Sequence, residues 1–104
     1  RQRQMCIRDR VKHYIIVKLN GQGKEQKDLT ARIRELFLRS TAIEGVHRVS
    51  VHTSVIDLPN RYDLMICVEM EREALGPFDA SDIHREWKAE YAGYLETKAI
   101  FDCD

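Results

Sequence analysis

Two short stretches of the chain are apolar at nearly every position, which predicts strands that carry apolar side chains on both faces. Successive side chains of a strand point to opposite faces. The opposed sets are His13, Ile15, Val17 and Leu19 against Tyr14, Ile16 and Lys18 in the first stretch, and Leu64, Ile66 and Val68 against Met65 and Cys67 in the second. Helices in a chain this short cover one face of a sheet, so the other face needs a partner. The pattern therefore predicts self-association, most simply as a homodimer.

The remaining patterns predict the order β-α-β-β-α-β. Apolar residues at helical spacing, Leu29, Ile33, Leu36 and Phe37, indicate the first helix. The second strand alternates, with Val49, Val51, Thr53 and Val55 expected to face inward. The predicted strands are 12–19, 46–55, 62–70 and 98–102, the helices are 25–40 and 81–96, and a loop at 20–23 and a breaker at Gly76-Pro77 separate them. The most economical fold is α+β and ferredoxin-like, with both helices on one face of the sheet.

The first ten residues, Arg-Gln-Arg-Gln-Met-Cys-Ile-Arg-Asp-Arg, carry no periodic apolar pattern. The run resembles, at all ten positions, the in-frame translation of a transposon-based sequencing-library adapter. We therefore expect residues 1–10 to be a non-native or disordered segment and residues 11–104 to form the domain. The alternative is a natural basic arm that contacts phosphate.

Without that segment the charge balance is mildly acidic. The whole chain has 17 Lys and Arg and 17 Asp and Glu side chains. The first ten residues hold four Arg and one Asp, which leaves 13 basic and 16 acidic side chains and a formal net charge of −3. A domain with this balance and no basic stripe is not expected to bind nucleic acid. No apolar run approaches the roughly 20 residues that span a bilayer, so no membrane partner is expected.

The cysteine and glycine spacings give no sign of a metal or a cofactor. Beyond the first ten residues the chain has Cys67 and Cys103, which form neither a C-x-x-C pair nor a zinc-binding spacing. Gly21 and Gly23 lack the rest of a nucleotide-binding fingerprint. We expect reduced thiols, a cytoplasmic location and no cofactor.

Several short motifs along residues 11–104 share one order and spacing with a known family. They are Val11-Lys12-His13, Tyr62-Asp63-Leu64, Ala74-Leu75, His84 on the last helix and Ile100-Phe101-Asp102. Together they resemble the stress-responsive A/B-barrel (Dabb) family. The resemblance implies a ferredoxin-like subunit, two of which join sheet to sheet into a dimeric α/β barrel. That arrangement agrees with the partner that the two-faced strands require.

The resemblance also implies a chemistry. In one plant branch of the family, the olivetolic acid cyclases, a polyketide chain is closed by aldol condensation. The second histidine of a His-Pro-x-His run is the general base there, and a tyrosine six positions earlier helps to bind and polarise the substrate. The resemblance places His84 at the catalytic histidine and His13 at a strand-one histidine that faces the same pocket. Phe78, which has no hydroxyl, stands at the tyrosine position, and Ser81 and Asp82 replace the first His and the Pro.

His84 is the main candidate for chemistry because it lies three residues before Trp87 and so borders the apolar face of the helix. A neutral imidazole beside an apolar cavity can act as a base near pH 7. The alternative is a histidine that is hydrogen-bonded for structure alone. His13 could orient His84 or share a proton with it, or it could cap the end of a strand. His47 and His52 are expected to be exposed.

A space between the helices and the sheet is the predicted ligand site, unless the same residues simply form the core. The residues expected to line it are Ile15, Val17, Phe37, Ile66, Val68, Phe78, Trp87 and Tyr91. Two functions remain open. One is an uncharacterised homodimeric A/B-barrel protein that binds a small hydrophobic ligand. The other is a small enzyme that acts on a hydrophobic carbonyl compound, with His84 as the general base.

Overall fold

A computed structural model describes residues 10–104 of the chain. In order, the elements are β1 (Arg10–Leu19), α1 (Gly21–Lys24), α2 (Leu29–Leu38), β2 (Val46–Thr53), β3 (Leu64–Glu71), α3 (Leu75–Asp79), α4 (Asp82–Tyr91) and β4 (Leu95–Cys103). Short 3-10 turns at Arg39–Ala42, Arg72–Ala74 and Ala92–Tyr94 join some of them. The prediction that residues 1–10 are a non-native or disordered segment concerns residues 1–9, which lie outside the described residues, and Arg10. Arg10 is the first residue of β1.

The four strands form one antiparallel sheet in the order β2-β3-β1-β4. The two strands with two apolar faces, β1 and β3, are therefore the central pair, and β2 and β4 are the edges. Across the sheet His13 lies opposite Val68 on one side and Asp102 on the other. This is the predicted α+β, ferredoxin-like β-α-β-β-α-β fold.

The long helices α2 and α4 cover one face of the sheet. Their buried residues form one cluster with alternate residues of β1 and β3. The cluster includes Ile33, Leu36, Phe37, Trp87 and Tyr91 from the helices and Val11, Ile15, Val17, Leu64, Ile66, Val68 and Met70 from the strands. The helical spacing and the strand alternation therefore select the same interior, and His13 belongs to this face with 5% of its surface exposed.

The predicted loop at 20–23 is instead a single helical turn. The Asn20 side-chain oxygen caps α1 by accepting a hydrogen bond from the Gly23 N–H at 2.8 Å. A Cβ on Gly23 would lie 2.5 Å from the Tyr94 carbonyl oxygen, so this turn packs closely against the 3-10 turn that leads into β4. Gly23 serves this close approach, whereas Gly21 has open space around it.

The first long helix and the second strand are both shorter than predicted. Helix α2 begins at Leu29 rather than at residue 25. Strand β2 ends at Thr53, which is exposed, and Val55 is 92% exposed in the following loop. The inward alternation therefore stops at Val51. The Ser54 N–H donates to the Asp63 carbonyl oxygen at 2.9 Å and closes the base of the loop. The chain therefore turns before Val55, although the apolar alternation in the sequence continues to that residue.

Gly76 and Pro77 do not break the chain but lie inside the short helix α3. Pro77 is the third residue of that helix, where a backbone N–H would have no acceptor within the helix, so proline is tolerated. The last helix begins at Asp82 after the N-cap Ser81, and it gives way at Ala92 to a 3-10 turn that leads into β4 at Leu95. Among the described residues no helix is long and apolar enough to cross a membrane.

Candidate functional site

Two histidines face the helix side of the sheet from different elements. His13 comes from the middle of β1, because the alternation of that strand turns it inward with Ile15. His84 lies in the first turn of α4. Its N–H donates to the Ser81 hydroxyl at 3.2 Å, and the same hydroxyl donates to the Phe78 carbonyl oxygen at 2.7 Å. Ser81 thus fixes the start of α4 relative to the end of α3.

The Phe78 ring contacts both imidazoles. Its centroid is 5.6 Å from that of His13 and 5.5 Å from that of His84, with interplanar angles of 71° and 68°. Both contacts are edge-to-face, a favourable arrangement for aromatic rings. Phe78 is completely buried. The structure therefore brings both predicted catalytic histidines into contact with one phenyl ring.

Asp102 is the partner of His13. The Asp102 Oδ1 atom lies 2.5 Å from His13 Nδ1, across the antiparallel pair of β1 and β4. A carboxylate can only accept, so Nδ1 carries the ring proton and the imidazole is held in one tautomer and orientation. Sequence reasoning named Asp102 only within a family motif and did not pair it with His13. The available signal was the cross-strand register, which a single sequence does not fix.

His84 has a weaker acidic neighbour. Its Nε2 atom lies 3.8 Å from Asp79 Oδ1, beyond hydrogen-bonding distance, and 12% of its side chain is exposed. Burial lowers the pKa of His84 below its ordinary value, against the opposing effect of the Asp79 carboxylate. Lys88, Lys98 and His13 lower it further. An imidazole with a lowered pKa is neutral at pH 7 and can accept a proton.

The residues predicted to line a ligand pocket belong to the core cluster. Their exposed fractions run from zero to 4%: Val17, Phe37, Ile66, Val68 and Phe78 at 0%, Ile15 and Trp87 at 1%, and Tyr91 at 4%. Trp87 meets Phe37 edge to face at 5.0 Å and stacks on Tyr91 at 5.6 Å. The side chains are thus brought together as predicted, but they fill the space between helices and sheet with their own atoms. Ligand binding by them stays a prediction.

Two surface grooves are lined by neither His13 nor His84. One, of about 630 Å³, runs beside Gly45, Glu71 and Pro77. The other, of about 550 Å³, lies between Lys18 and the loop that carries Arg61. Neither is lined by His13, Phe78 or His84, so neither provides an open path to the paired imidazoles.

The other two histidines are exposed, as expected. His47 Nε2 lies 2.6 Å from Glu71 Oε2, and His52 Nε2 lies 3.2 Å from the Ser50 hydroxyl. Within residues 10–104 no group of three or more His, Cys, Asp or Glu side chains is placed to hold a metal ion.

The face of the sheet opposite the helices carries a second feature, which we call the open face: Tyr14, Ile16, Met65, Cys67 and Phe101. Tyr14 lies between Cys67 and Phe101 in the strand register, and its ring centroid is 6.5 Å from that of Phe101. Phe101 is 59% exposed. Burial raises the pKa of the Cys67 thiol, so it stays protonated. The open face lies opposite the helix-covered side of the sheet, and its apolar side chains are half-buried or exposed apart from the buried Cys67.

No protein-family model matches the chain, and no curated protein matches it. Solved structures share its fold. A dimeric ferredoxin-like protein of unknown function from Thermobifida fusca has a TM-score of 0.76 at 12% identity, and the match covers 90% of this chain and 89% of that one. A Dabb family protein from Mesorhizobium loti has a TM-score of 0.62 at 11% identity, over 91% and 95% of the two chains. The hydroxynitrile lyase of Passiflora edulis has a TM-score of 0.74 at 11% identity, over 91% and 92%. These identities show a common fold alone.

Proposed function

We propose that residues 11–104 form a homodimeric domain of the Dabb type, which binds a small hydrophobic compound on the helix side of its sheet. The observation that carries this proposal is the convergence of His13, Phe78 and His84 in an otherwise apolar interior. A ligand site of this kind needs apolar walls and a few polar groups directed at one point. The fold that the chain shares with a Dabb protein and with a dimeric ferredoxin-like protein supports the family and the dimer.

The dimer is proposed to form through the open face. Tyr14 and Ile16 are half-buried, and Phe101 is mostly exposed. Apolar surface on this face therefore stays in contact with water, which is unfavourable, unless a partner covers it. A second copy supplies a surface of the same size and character. A twofold arrangement places each open face against the other, and every apolar contact then occurs twice.

The ligand is proposed to bind beside His84 and His13. His84 can hydrogen-bond to a carbonyl or hydroxyl oxygen, and His13, whose Nδ1 proton is bound by Asp102, can accept a hydrogen bond from a hydroxyl at Nε2. The surrounding aromatic and branched side chains favour a compound that is otherwise apolar. This proposal involves no cofactor and no metal ion.

Ligand binding is tested by titrating small hydrophobic carbonyl compounds into the 15N-labelled dimer and following the His13 and His84 ring signals by NMR. The expected result is a saturable shift of both ring signals with at least one compound. His84→Ala should weaken binding of that compound, whereas His52→Ala, the same substitution at an exposed histidine, should not. Shifts confined to surface residues would contradict the proposed site.

A second candidate function is catalytic, and the lowered pKa of His84 favours it. A neutral His84 can take a proton from a hydrophobic carbonyl compound as a general base, while Asp102 holds the His13 ring in position to accept a hydrogen bond at Nε2. Phe78 forms part of the wall and has no proton to give. The similarity in fold to a hydroxynitrile lyase shows that this fold can carry catalysis, although it transfers no reaction to this chain.

The catalytic candidate is tested by assaying carbonyl compounds with wild type, His84→Ala and His52→Ala. General-base assistance is typically about 10²–10⁴-fold, so His84→Ala should lose that much of any activity found while keeping its dimeric mass. His52→Ala should retain the wild-type rate. Equal rates for all three proteins would leave ligand binding as the function.

A further inference from the structure

Phe78 belongs to a segment that contributes little else to the interior. In α3, Gly76, Pro77 and Asp79 are exposed and Leu75 is half-buried, so Phe78 is its one fully buried side chain. The backbone contacts of the segment are local. The Ala80 N–H donates to the Gly76 carbonyl oxygen at 3.0 Å, and the Ser81 N–H donates to the Phe78 carbonyl oxygen at 3.1 Å.

The helix itself is weak by composition and length. Five residues are far fewer than a helix needs to be stable alone, and Gly76 has a low helix propensity. A Cβ at Gly76 would meet no heavy atom within 4 Å, so packing does not require glycine there. The ring of Phe78 therefore holds an easily unwound segment against the two imidazoles.

We propose that the Phe78 ring occupies the ligand position itself, and that local unwinding of α3 withdraws it so that one six-membered aromatic ring can take its place against His13 and His84. This inference rests on the helix-side site of the proposed function and names its ligand class. The site holds the Phe78 ring in edge-to-face contact with two imidazoles, so it is shaped for a flat ring. A carbonyl or hydroxyl on such a ring would lie beside the histidine nitrogens.

The occupancy of the ligand position by the Phe78 ring is tested with Phe78→Ala and benzene, which replaces the deleted ring. A buried apolar cavity of about 150 Å³ stays dry and binds benzene, so benzene should bind, raise the melting temperature of Phe78→Ala and shift the His13 and His84 ring signals. Leu29→Ala is the matched control. Leu29 is also buried but lies beside Leu19 and Ile56 at the N-terminal end of α2, whereas Phe37 near the C-terminal end contacts Phe78. Benzene in that variant should leave both histidine signals unchanged. Phe78→Leu, which removes less volume, provides the same readout if Phe78→Ala does not fold.

The unwinding is tested by hydrogen exchange in the wild-type chain, without a ligand. The Ala80 amide should exchange faster than amides in the middle of α4. Gly76→Ala should slow the Ala80 exchange about fivefold, because alanine favours the helix by that factor. Gly21→Ala, another helical glycine with open space around it, should have no effect on Ala80.

Each outcome decides a separate point. Failure of benzene to bind Phe78→Ala, or wild-type binding of an aromatic ligand at the histidines without any change in the Phe78 signals, would overturn the occupancy. Unchanged Ala80 exchange in Gly76→Ala would overturn the unwinding. If benzene enters Phe78→Ala while no carbonyl compound binds to wild type, the proposed function fails and the occupancy stands.

Discussion

His13 and His84 are held by different forces, and the difference sets what each can do. His13 is fixed by one short hydrogen bond to Asp102 across two strands. His84 is held through its backbone by the Ser81 cap, and its ring is kept neutral by burial rather than by a strong partner. A fixed, carboxylate-bound imidazole suits orientation, and a neutral, less constrained one suits proton acceptance.

The lowered pKa of His84 predicts a stability that falls as the pH falls. The unfolded chain, with an ordinary histidine pKa near 6.5, binds a proton first as the pH drops through that value. In the window just below pH 6.5 the unfolded state therefore holds more protons, and the free energy of unfolding decreases with decreasing pH. Above pH 7 both states are neutral and the group contributes no pH dependence.

The measurement is urea unfolding at pH 7.5, 6.5 and 5.5 for wild type and His84→Gln. The glutamine does not titrate, so its stability should decline less between pH 7.5 and 5.5 than that of wild type. His13, His47 and His52 are present in both proteins and cancel in the comparison. Parallel curves for the two proteins would contradict the lowered pKa.

Removing the carboxylate from Asp102 should destabilise the fold through His13. His13 is 5% exposed, and Asp102→Ala leaves its Nδ1 proton without the acceptor seen here. An unsatisfied buried donor costs about 1–3 kcal/mol, and that loss should appear in the free energy of urea unfolding. Asp104→Ala removes an exposed carboxylate two residues later and should be neutral. An unchanged free energy of unfolding in Asp102→Ala would show that water replaces the carboxylate as the acceptor.

Within the elements, periodicity predicts the interior well and the boundaries poorly. The spacing of Leu29, Ile33 and Phe37 identifies the buried side of α2, because burial of an apolar stripe is a property of the whole helix. The ends depend on single hydrogen bonds and close contacts, such as the Ser54 bond to Asp63 that turns the chain before Val55. Those contacts join residues distant in sequence, so local patterns do not contain them.

Gly45 is a boundary residue whose substitution should be costly. Its φ is +90°, a conformation that L side chains rarely adopt, and a Cβ there would lie 2.9 Å from the Ala74 Cβ. Gly45→Ala should lose at least about 1–2 kcal/mol of unfolding free energy, from the backbone conformation alone. Gly93→Ala is the control, since its Cβ would meet no heavy atom within 4 Å. Equal denaturation midpoints for the two variants would contradict this account.

For the whole molecule, the sequence predicts that one face of the sheet needs a partner, most simply a second copy, but it does not fix the contacts with that partner. Tyr14 and Ile16 are apolar on the side away from the helices, which is enough to predict the open face. The same limit applies to the site: the sequence indicates His84, His13 and Phe78, but the contact of the ring with both imidazoles follows from the placement of α3 against β1. That placement is a tertiary contact, which the pattern of one chain does not specify.

The homodimer is best tested with two neighbouring residues of β4 that point to opposite faces. Phe101 is 59% exposed and lies on the open face beside Tyr14, whereas Ile100 is 49% exposed and pairs with the inward-facing Ile15. In a face-to-face dimer each lysine substitution occurs twice. Phe101→Lys should then weaken association at least about a hundredfold, because it deletes a buried ring and buries a charge on both subunits.

Ile100→Lys introduces the same charge one residue away and should leave the dimer intact. Light scattering at micromolar concentration should report twice the monomer mass for wild type and Ile100→Lys, and the monomer mass for Phe101→Lys. A monomeric wild type, or equal masses for the two variants, would show that the open face is not the interface.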